Sequence, residues 1–590
     1  MFAFLKKILT SCLGIVVGML VSLLLLVLLL VGLGTLFLSD QKNKVSSVTE
    51  NTYLHLKLDG VVVERSNEFP IDLFRKETKK VGLDDLRKVI AGAASDSKIT
   101  GIYLEIGNLS VAPAGADEIR QALEQFQKSG KTIVAYSGAY TQNGYYIASV
   151  ADVVCLNPQG MINLKGLSTE RMFYKGTLEK LGVNMQIFRV GSYKSAVEPY
   201  TETEMSLSSR AQTQEYLNEI WNYQIDRVAR SRNLPVDSLE RLVEKGLLFQ
   251  EAQLYKSAHL VDTLAYESEV MAFLKDRQGI SQNKKLNLIK ADDLAAMLNY
   301  RKADNEIAIL YAEGEIVGES MGEVSSEEIV EKRICKEIEK LRNNERVKAV
   351  VLRVNSPGGS AYSSEQIWKE LYELNRKKTL VVSMGGYAAS GGYYIASAAS
   401  YIVASPLTIT GSIGIFGMIP DVSGVTKKVG LTFDGVKTHR FADFPSITRP
   451  MDNEEKEMMQ QYVNRGYDIF LKRCLEGRKN MTYEQLDSVA QGRVWTGMHA
   501  LKIGLVDELG DLNMAVLRAA SLANVHDYML KAYPPKKDWI DRLIDEKFDL
   551  DVLSLWHEQK RLYNYMRGRE VLMPLTDYLQ AFLPERVQAD

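Results

Sequence analysis

GYYIAS at residues 144–149 and GYYIAS at residues 392–397 are identical stretches that lie 248 positions apart. The same offset aligns GIYLEIGNLSVAPAGADEI, which starts at Gly101, with AVVLRVNSPGGSAYSSEQI, which starts at Ala349. Six identical residues could arise by chance, but chance is a poor account of an alignment without gaps from residue 101 to residue 149. The chain is therefore an internal duplication, and the repeated unit decides the fold.

Each copy has the pattern of alternating strands and helices. In the second copy, short apolar and β-branched runs predict buried parallel strands at 348–354, 379–385 and 401–406. The segments between them predict helices at 363–378 and 390–400, the first because its apolar residues recur at helical spacing. This succession favours an α/β fold with right-handed crossovers.

The duplication also divides the chain into regions. We place the two copies at about 46–300 and 301–530. Apolar residues continue beyond them, including Trp539 and Trp556. They predict a helical tail over 531–590 that packs on the body of the protein or on a partner.

The composition excludes several classes of protein. The chain is 46% apolar and 25% charged, which is ordinary for a globular protein. Its 72 basic and 74 acidic residues give a net charge of −2, and the sequence has no long basic block, so a nucleic-acid partner is not expected. The four cysteines are scattered, and the sequence has no CxxC, HExxH or GxxxxGK[ST] motif. We therefore expect neither a metal nor a nucleotide cofactor.

The N-terminus has the features of a membrane anchor. The chain carries no charge between residues 8 and 39, and a bilayer core needs about 20 apolar residues. We predict a transmembrane helix over 8–38, with residues 1–7 in the cytoplasm and the remainder exported. The alternative is a cleavable signal peptide. Its apolar region is shorter, at about 7–15 residues, and GTLFLSD offers no good cleavage site for it.

A duplicated enzyme often keeps its chemistry in one copy, so we compared the copies where they differ. Ser390 in the second copy lies opposite Gln142, which cannot be a nucleophile. A serine at a strand-to-helix turn exposes its hydroxyl at a helix N-terminus, where backbone amides stabilise an oxyanion. The alternative, more common for a serine considered alone, is an N-cap whose side chain only caps the helix.

Two further differences have the same character. The second copy has NSPGGS at 355–360, whose paired glycines suit a second oxyanion donor, although a plain Pro-Gly turn is the alternative. The first copy has Lys194, which falls opposite Arg440 once a two-residue gap is allowed. Lysine can act as a base when buried, whereas arginine cannot lose its proton in a protein. A lone lysine usually lies on the solvated surface. Here, however, the copy with the serine lacks the lysine, and the copy with the lysine lacks the serine.

Together these segments resemble the signal peptide peptidase A family, or protease IV, in its long duplicated form. The motifs are AASGGYYIA around Ser390, NSPGG, TGSIG at 410–414 and GSYKSAVEPY at 191–200, and the resemblance covers roughly 46–530. It implies two tandem crotonase/Clp-protease-like domains, each a β-β-α superhelix, behind one N-terminal transmembrane helix.

The resemblance also implies roles for individual residues. Ser390 would be the nucleophile and Lys194 the general base of a Ser-Lys dyad. Ser412 would orient the lysine, and the N–H groups of Gly359 and Gly391 would form the oxyanion hole. The family implies no cofactor.

The same resemblance implies a place and a substrate. The enzyme would degrade cleaved signal peptides and other apolar peptides as a serine endopeptidase. It would be a homotetramer, anchored by one span in the inner (cytoplasmic) membrane with its catalytic domains on the exported, periplasmic side.

Two other functions remain open on the residues alone. Relatives with the crotonase fold stabilise acyl-CoA enolates, but they need no Ser-Lys pair, and an exported enzyme lacks access to CoA. The other alternative is a membrane-anchored scaffold with a decayed active site. A missing dyad residue would favour it, but both residues are present. Of the six histidines, His439 lies nearest these motifs, and we interpret it as a bystander. Reaction with a serine-directed fluorophosphonate distinguishes the peptidase from both alternatives.

Overall fold

The computed structural model describes residues 48–66, 80–298, 302–318, 328–536 and 579–582, with five isolated helical positions between 14 and 25. The predicted membrane helix over 8–38 otherwise lies outside these residues. Within the described part of the chain, no helix combines the length and the apolar character needed to cross a membrane.

The strands are β1 (Thr52–Val63), β2 (Lys80–Gly82), β3 (Ile99–Ser110), β4 (Thr132–Tyr140), β5 (Val153–Ile162), β6 (Asn184–Arg189), β7 (Thr263–Leu264), β8 (Leu288–Lys290), β9 (Glu306–Glu313), β10 (Glu315–Val317), β11 (Glu328–Val330), β12 (Val347–Ser356), β13 (Gly358–Ser360), β14 (Thr379–Ala389), β15 (Tyr401–Ala404), β16 (Ile409–Gly411), β17 (Phe416–Asp421), β18 (Val494–Thr496), β19 (Glu508–Leu509), β20 (Met529–Tyr533) and β21 (Leu579–Phe582). The α-helices are Leu83–Ser95, Pro113–Gln127, Gln142–Ala148, Lys175–Leu181, Glu198–Thr201, Leu207–Ser231, Val236–Glu244, Ala252–Ser257, Glu267–Gln278, Ala291–Met297, Glu331–Asn343, Ala361–Asn375, Gly391–Ala396, Ser423–Lys428, Asn453–Gly477, Tyr483–Val489, Gly497–Lys502 and Leu512–Leu522.

Each copy forms its own sheet with helices packed against it. In the first copy the strand order is β2-β1-β3-β4-β5-β7, with β8 also on β1, and all these pairs are parallel. In the second copy the order is β18-β16-β14-β12-β9-β20, and β15 joins β14 to β19. Only the β16–β18 pair among the described pairs of this sheet is antiparallel. The α/β prediction from the sequence is confirmed.

The predicted elements of the second copy are present with shifted ends. The strands predicted at 348–354 and 379–385 are longer, and they run as Val347–Ser356 and Thr379–Ala389. The helix predicted at 390–400 is shorter, because Gly391–Ala396 ends where the chain turns into β15. In the helix Ala361–Asn375, the side chains at helical spacing are fully buried, as their periodicity predicts: Ile367, Leu371 and Leu374.

A third sheet joins the two copies. Its strand order is β11-β10-β13-β21-β17-β6. β6 belongs to the first copy and pairs antiparallel with β17 of the second, with Arg189 opposite Phe416. β6 ends at Arg189, so the residues of the first copy that follow it lie against the second copy.

The described residues of the predicted tail include two strands. β20 continues to Tyr533 and lies parallel beside β9, so the second sheet extends past the predicted limit at 530. The other described segment, Leu579–Phe582, is a strand as well. The cause is backbone pairing: both segments lie beside strands of the second copy, and helical periodicity in the sequence does not report on such partners.

A buried ionic cluster also crosses between the copies. Arg353 on β12 is 1% exposed, and its guanidinium lies 2.8 Å from Glu64 and 2.6 Å from Glu118 of the first copy. Arg87 lies 3.8 Å from the second oxygen of Glu118. Because buried charges must be paired, this cluster fixes the first copy against the strand that leads into the NSPGG turn.

Replacing Arg353 by methionine should destabilise the protein by about 3–5 kcal/mol, because Glu64 and Glu118 would keep their burial and lose their main counter-ion. The measurement is the midpoint of urea unfolding in detergent-solubilised protein. Arg376→Met is the control, since Arg376 is 66% exposed and its pairing with Glu373 is a surface contact. Equal midpoints for the two variants would contradict this account of the cluster.

Candidate active site

Ser390 lies at the turn between β14 and the helix Gly391–Ala396, with φ 55° and ψ −115°. A positive φ is strained for serine, and the turn is held by Ser390 N–H donating to Gly411 O at 2.8 Å. The residue occupies the N-cap position, but its side chain makes no capping hydrogen bond. The interpretation of Ser390 as a simple N-cap is therefore wrong for the side chain.

Lys194 reaches Ser390 from the other copy. Its Nζ lies 2.7 Å from Ser390 Oγ, 3.1 Å from Ser412 O and 3.1 Å from Ser412 Oγ. Lys194 and both serines are fully buried. The exposed hydroxyl expected at residue 390 is thus not observed.

Burial dominates the electrostatics of Lys194. Removal from water holds the pKa of its ammonium well below its usual range, because the charged form loses its hydration. In the described part of the chain no acidic side chain forms an ion pair with Nζ, and its hydrogen-bond partners there are two hydroxyls and a carbonyl. The environment therefore favours a neutral amine, which can accept a proton.

Two glycines to which the sequence analysis gave no role make room for this lysine. A Cβ on Gly492, whose φ is +76°, would lie 2.7 Å from Lys194 Cβ, and one on Gly414 would lie 3.3 Å from Lys194 Cδ. Ser412 also has a positive φ, 51°, and its N–H donates to Arg493 O at 2.7 Å. Gly414 stands in the TGSIG segment, but nothing in the local sequence marks Gly492, because its role depends on a residue almost 300 positions away.

The NSPGG segment is not a plain turn. Gly358–Ser360 forms β13, and a Cβ on Gly359 would lie 2.0 Å from Ile316 O, so only glycine fits there. A Cβ on Gly391 would lie 3.2 Å from Gly359 N. The two glycines predicted to supply the oxyanion donors are therefore neighbours, and Gly391 directly follows Ser390.

β21 lies beside this turn. It pairs antiparallel with β13 on one side, where Ala581 lies opposite Gly359, and antiparallel with β17 on the other, where Gln580 lies opposite Phe416. An extended segment of chain thus fits between β13 and β17, next to the glycine predicted as an oxyanion donor.

Comparison with known proteins places this chain in a family. A family model described as Peptidase family S49 matches residues 125–281 and 372–526, one stretch in each copy. A Clp protease model also matches, over residues 301–408. The chain belongs to peptidase family S49.

Several curated relatives align with this chain over most of its length. Protease 4 of Haemophilus influenzae is 37% identical over 500 residues, which are 82% of this chain and 80% of that protein. Protease 4 of Salmonella typhi is 37% identical over 538 residues, 87% and 85% of the two chains. The chloroplastic serine protease SPPA of Arabidopsis thaliana is 31% identical over 452 residues, 75% and 66%. The chain is therefore a serine protease with tandem Clp-protease-like α/β domains, and its resemblance to duplicated signal peptide peptidase A is confirmed.

The residues that lie opposite Ser390 and Lys194 in the other copies make different contacts. Gln142 begins the helix Gln142–Ala148, and its Oε1 accepts from Lys165 N and Gly166 N at 3.0 and 3.1 Å. Arg440 is exposed and pairs with Glu454 at the surface. His439 is also exposed, with Nδ1 3.1 Å from Thr438 Oγ1, so it lies apart from the buried site.

Among the described residues, one group has side chains of the types that bind metals: Glu215, Glu219 and His499. His499 Nδ1 lies 3.0 Å from Glu219 Oε1, and Arg493 Nη2 lies 2.6 Å from Glu215 Oε2. The arginine already neutralises one carboxylate, and the group contains neither Ser390 nor Lys194. These side chains form an ionic cluster on the protein.

The lowered pKa of Lys194 predicts how stability depends on pH. Between the folded pKa and the ~10.4 of an unfolded lysine, the unfolded chain binds the extra proton, so folding strengthens as pH rises and weakens as pH falls. Lys194→Met removes this contribution. Within that window, the free energy of unfolding of the wild type should rise relative to that of Lys194→Met by about 1.4 kcal/mol per pH unit. Thermal unfolding at several pH values measures this difference.

The surface variant Lys245→Met is the control for this comparison, because Lys245 is exposed. The difference in free energy of unfolding between Lys245→Met and the wild type should not change over the same pH range. A flat difference for Lys194→Met as well would mean that the buried amine keeps its proton.

Proposed function

We propose that the chain is a Ser-Lys dyad endopeptidase with Ser390 as nucleophile and Lys194 as general base. The observation that carries the proposal is the 2.7 Å contact between Lys194 Nζ and Ser390 Oγ, both of which belong to fully buried side chains. A nucleophilic hydroxyl needs a base within hydrogen-bond reach, and the base must be unprotonated in the free enzyme. The desolvated lysine meets both conditions.

Acylation follows from this geometry. As Ser390 Oγ attacks the carbonyl carbon of the scissile peptide bond, neutral Lys194 Nζ accepts the hydroxyl proton. The N–H groups of Gly359 and Gly391 donate to the oxygen that becomes negative. The lysine ammonium then gives its proton to the leaving nitrogen, the C–N bond breaks, and an ester joins the substrate acyl group to Ser390.

Deacylation repeats the sequence with water. Lys194 Nζ takes a proton from the water that attacks the ester, and it returns a proton to Ser390 Oγ when the C–O bond breaks. Ser412 lies 3.1 Å from Nζ through both its carbonyl and its hydroxyl oxygen. These acceptors orient the amine so that it faces Ser390.

The substrate is proposed to bind as an extended strand between β13 and β17. Support comes from β21, which occupies that track with antiparallel pairing on both sides. Backbone pairing of this kind accepts many sequences, and it aligns a peptide beside the oxyanion donors. Such a track suits an endopeptidase that degrades signal peptides and other apolar peptides.

The place of action is proposed from the N-terminal sequence. The uncharged apolar residues 8–38 would anchor the chain in the inner membrane by a single span, with the catalytic domains on the exported side. Released signal peptides are apolar and stay in that membrane, so the anchor holds the enzyme beside them. Protease accessibility of the catalytic domains in spheroplasts tests this topology.

A homotetramer is proposed for the assembly. The segment from residue 429 to residue 447 exposes several large apolar side chains, which a neighbouring copy would cover: Val429, Leu431, Phe433, Val436 and Ile447. Light scattering from the detergent-solubilised protein measures the number of subunits.

Ser390→Ala should lower peptide hydrolysis by on the order of 10⁴-fold or more while the thermal midpoint stays near that of the wild type, because only a hydroxyl is removed. Lys194→Arg should be almost as damaging, since a guanidinium cannot accept the proton. The measurement is turnover of an apolar peptide ester and of a signal-peptide fragment.

The counterpart substitutions Gln142→Ala and Arg440→Lys serve as controls, and they should affect turnover far less. Labelling by a fluorophosphonate should require Ser390. Full activity in Ser390→Ala would eliminate the nucleophile, and full activity in Lys194→Arg would eliminate only the base.

Removal of β21 should raise kcat/KM for short peptides by lowering KM, because a substrate that uses the same track must displace this strand. A chain that ends at residue 578 is compared with one that ends at residue 582 and keeps the strand. Identical KM values for the two would show that peptides bind elsewhere.

A further inference from the structure

One buried amide connects the lysine loop to the sheet that carries the serine. Gln212 lies on the helix Leu207–Ser231 of the first copy and is 2% exposed. Its Nε2 donates to Tyr193 O at 3.2 Å and is 3.4 Å from Ser195 Oγ, so it holds the residues on both sides of Lys194. Its Oε1 accepts from Val494 N–H of the second copy at 3.3 Å.

The contact with Val494 leads directly to the nucleophile. Val494 on β18 lies opposite Gly411 of β16. Gly411 O in turn accepts the N–H of Ser390 at 2.8 Å. Gln212 is therefore linked to the Ser390 backbone by two hydrogen bonds and one strand pairing. On the other side, it contacts the two residues that flank Lys194.

This arrangement is not a feature that both copies share. The second copy contains the helix Asn453–Gly477, which has the same 25-residue length as Leu207–Ser231. Its sixth residue is Met458, which is 42% exposed, whereas Gln212 is the sixth residue of the first helix. A buried amide at this position is thus specific to the copy that supplies the lysine.

We propose that Gln212 is a positioning residue that sets the register between the Lys194 loop and the Ser390 turn. The inference rests on the proposed dyad. A lysine side chain is long and flexible, so the place of Nζ depends on where Tyr193 and Ser195 hold the backbone. The Gln212 amide donates to the lysine loop and accepts from the sheet that carries Ser390. It therefore fixes the distance between the loop and the sheet.

The test is Gln212→Met, which keeps the length of the side chain and removes its donor and acceptor. We expect kcat to fall about 10- to 100-fold with KM unchanged, because a small displacement of the base slows chemistry and leaves peptide binding intact. We also expect the rising limb of the pH–kcat/KM profile to move to higher pH, because a loosened Lys194 is better hydrated. Labelling of Ser390 by a fluorophosphonate should slow in parallel.

The matched control is Gln224→Met on the same helix. Gln224 is 4% exposed and its Nε2 donates to Asn143 Oδ1 at 3.1 Å, within the first copy and away from the lysine loop. It should lower the thermal midpoint about as much as Gln212→Met does, and it should leave kcat and the pH limb unchanged.

The outcomes separate this inference from the dyad itself. If Gln212→Met keeps the wild-type kcat, or loses kcat while its pH limb stays in place as in Gln224→Met, Gln212 is only structural and the proposal fails. Activity in Ser390→Ala would instead overturn the dyad. Inactive Ser390→Ala with a shifted limb in Gln212→Met supports both.

Discussion

The exclusion of water from one amine is the constraint on which the rest of the site depends. Lys194 Nζ is buried among hydroxyls and a carbonyl, and burial lowers the pKa of its ammonium. A carboxylate beside it would restore the charge and remove the base, so the surroundings must be polar enough to bind the amine yet carry no anion. Ser390 and Ser412 supply that balance. In the proposed dyad, the same burial would take the place of the imidazole that many serine proteases use, since a desolvated lysine needs no histidine to become neutral.

The duplication is what makes this burial attainable. β6 of the first copy crosses to β17 of the second, and the loop that follows it carries Lys194 under the Ser390 turn. Neither copy holds both residues, so the site exists only when the two sheets keep their relative position. The Arg353 cluster and the Gln212 amide are two polar contacts that span the copies near the site. Because both are buried, each tolerates little displacement before a charge or a hydrogen bond is left unpaired.

How much the sequence predicts follows from the distance over which each feature is encoded. The parallel strands, the helix Ala361–Asn375 and the turn at Ser390 depend on neighbouring residues, and local patterns predicted them. The comparison of copies also drew attention to Lys194, because a duplication records which residue types diverged. Contacts between distant segments leave no local pattern in the sequence. Examples are the packing of Gly492 against Lys194, the hydrogen bond between Gln212 and Val494, and the strand pairing of β20 and β21. Each of these depends on a backbone that only the folded chain brings near.

The two serines of the site share a backbone feature that links stability to chemistry. Ser390 and Ser412 both have positive φ, a conformation that costs free energy for any residue except glycine. Such strain persists only where the surroundings hold it, and here the chain does so with the hydrogen bonds Ser390 N–H to Gly411 O and Ser412 N–H to Arg493 O. Relaxation of either turn would swing a hydroxyl away from Lys194 Nζ. The strained turns, the buried amine and the glycines packed against it therefore form one arrangement, in which each unfavourable element is retained because the others require it.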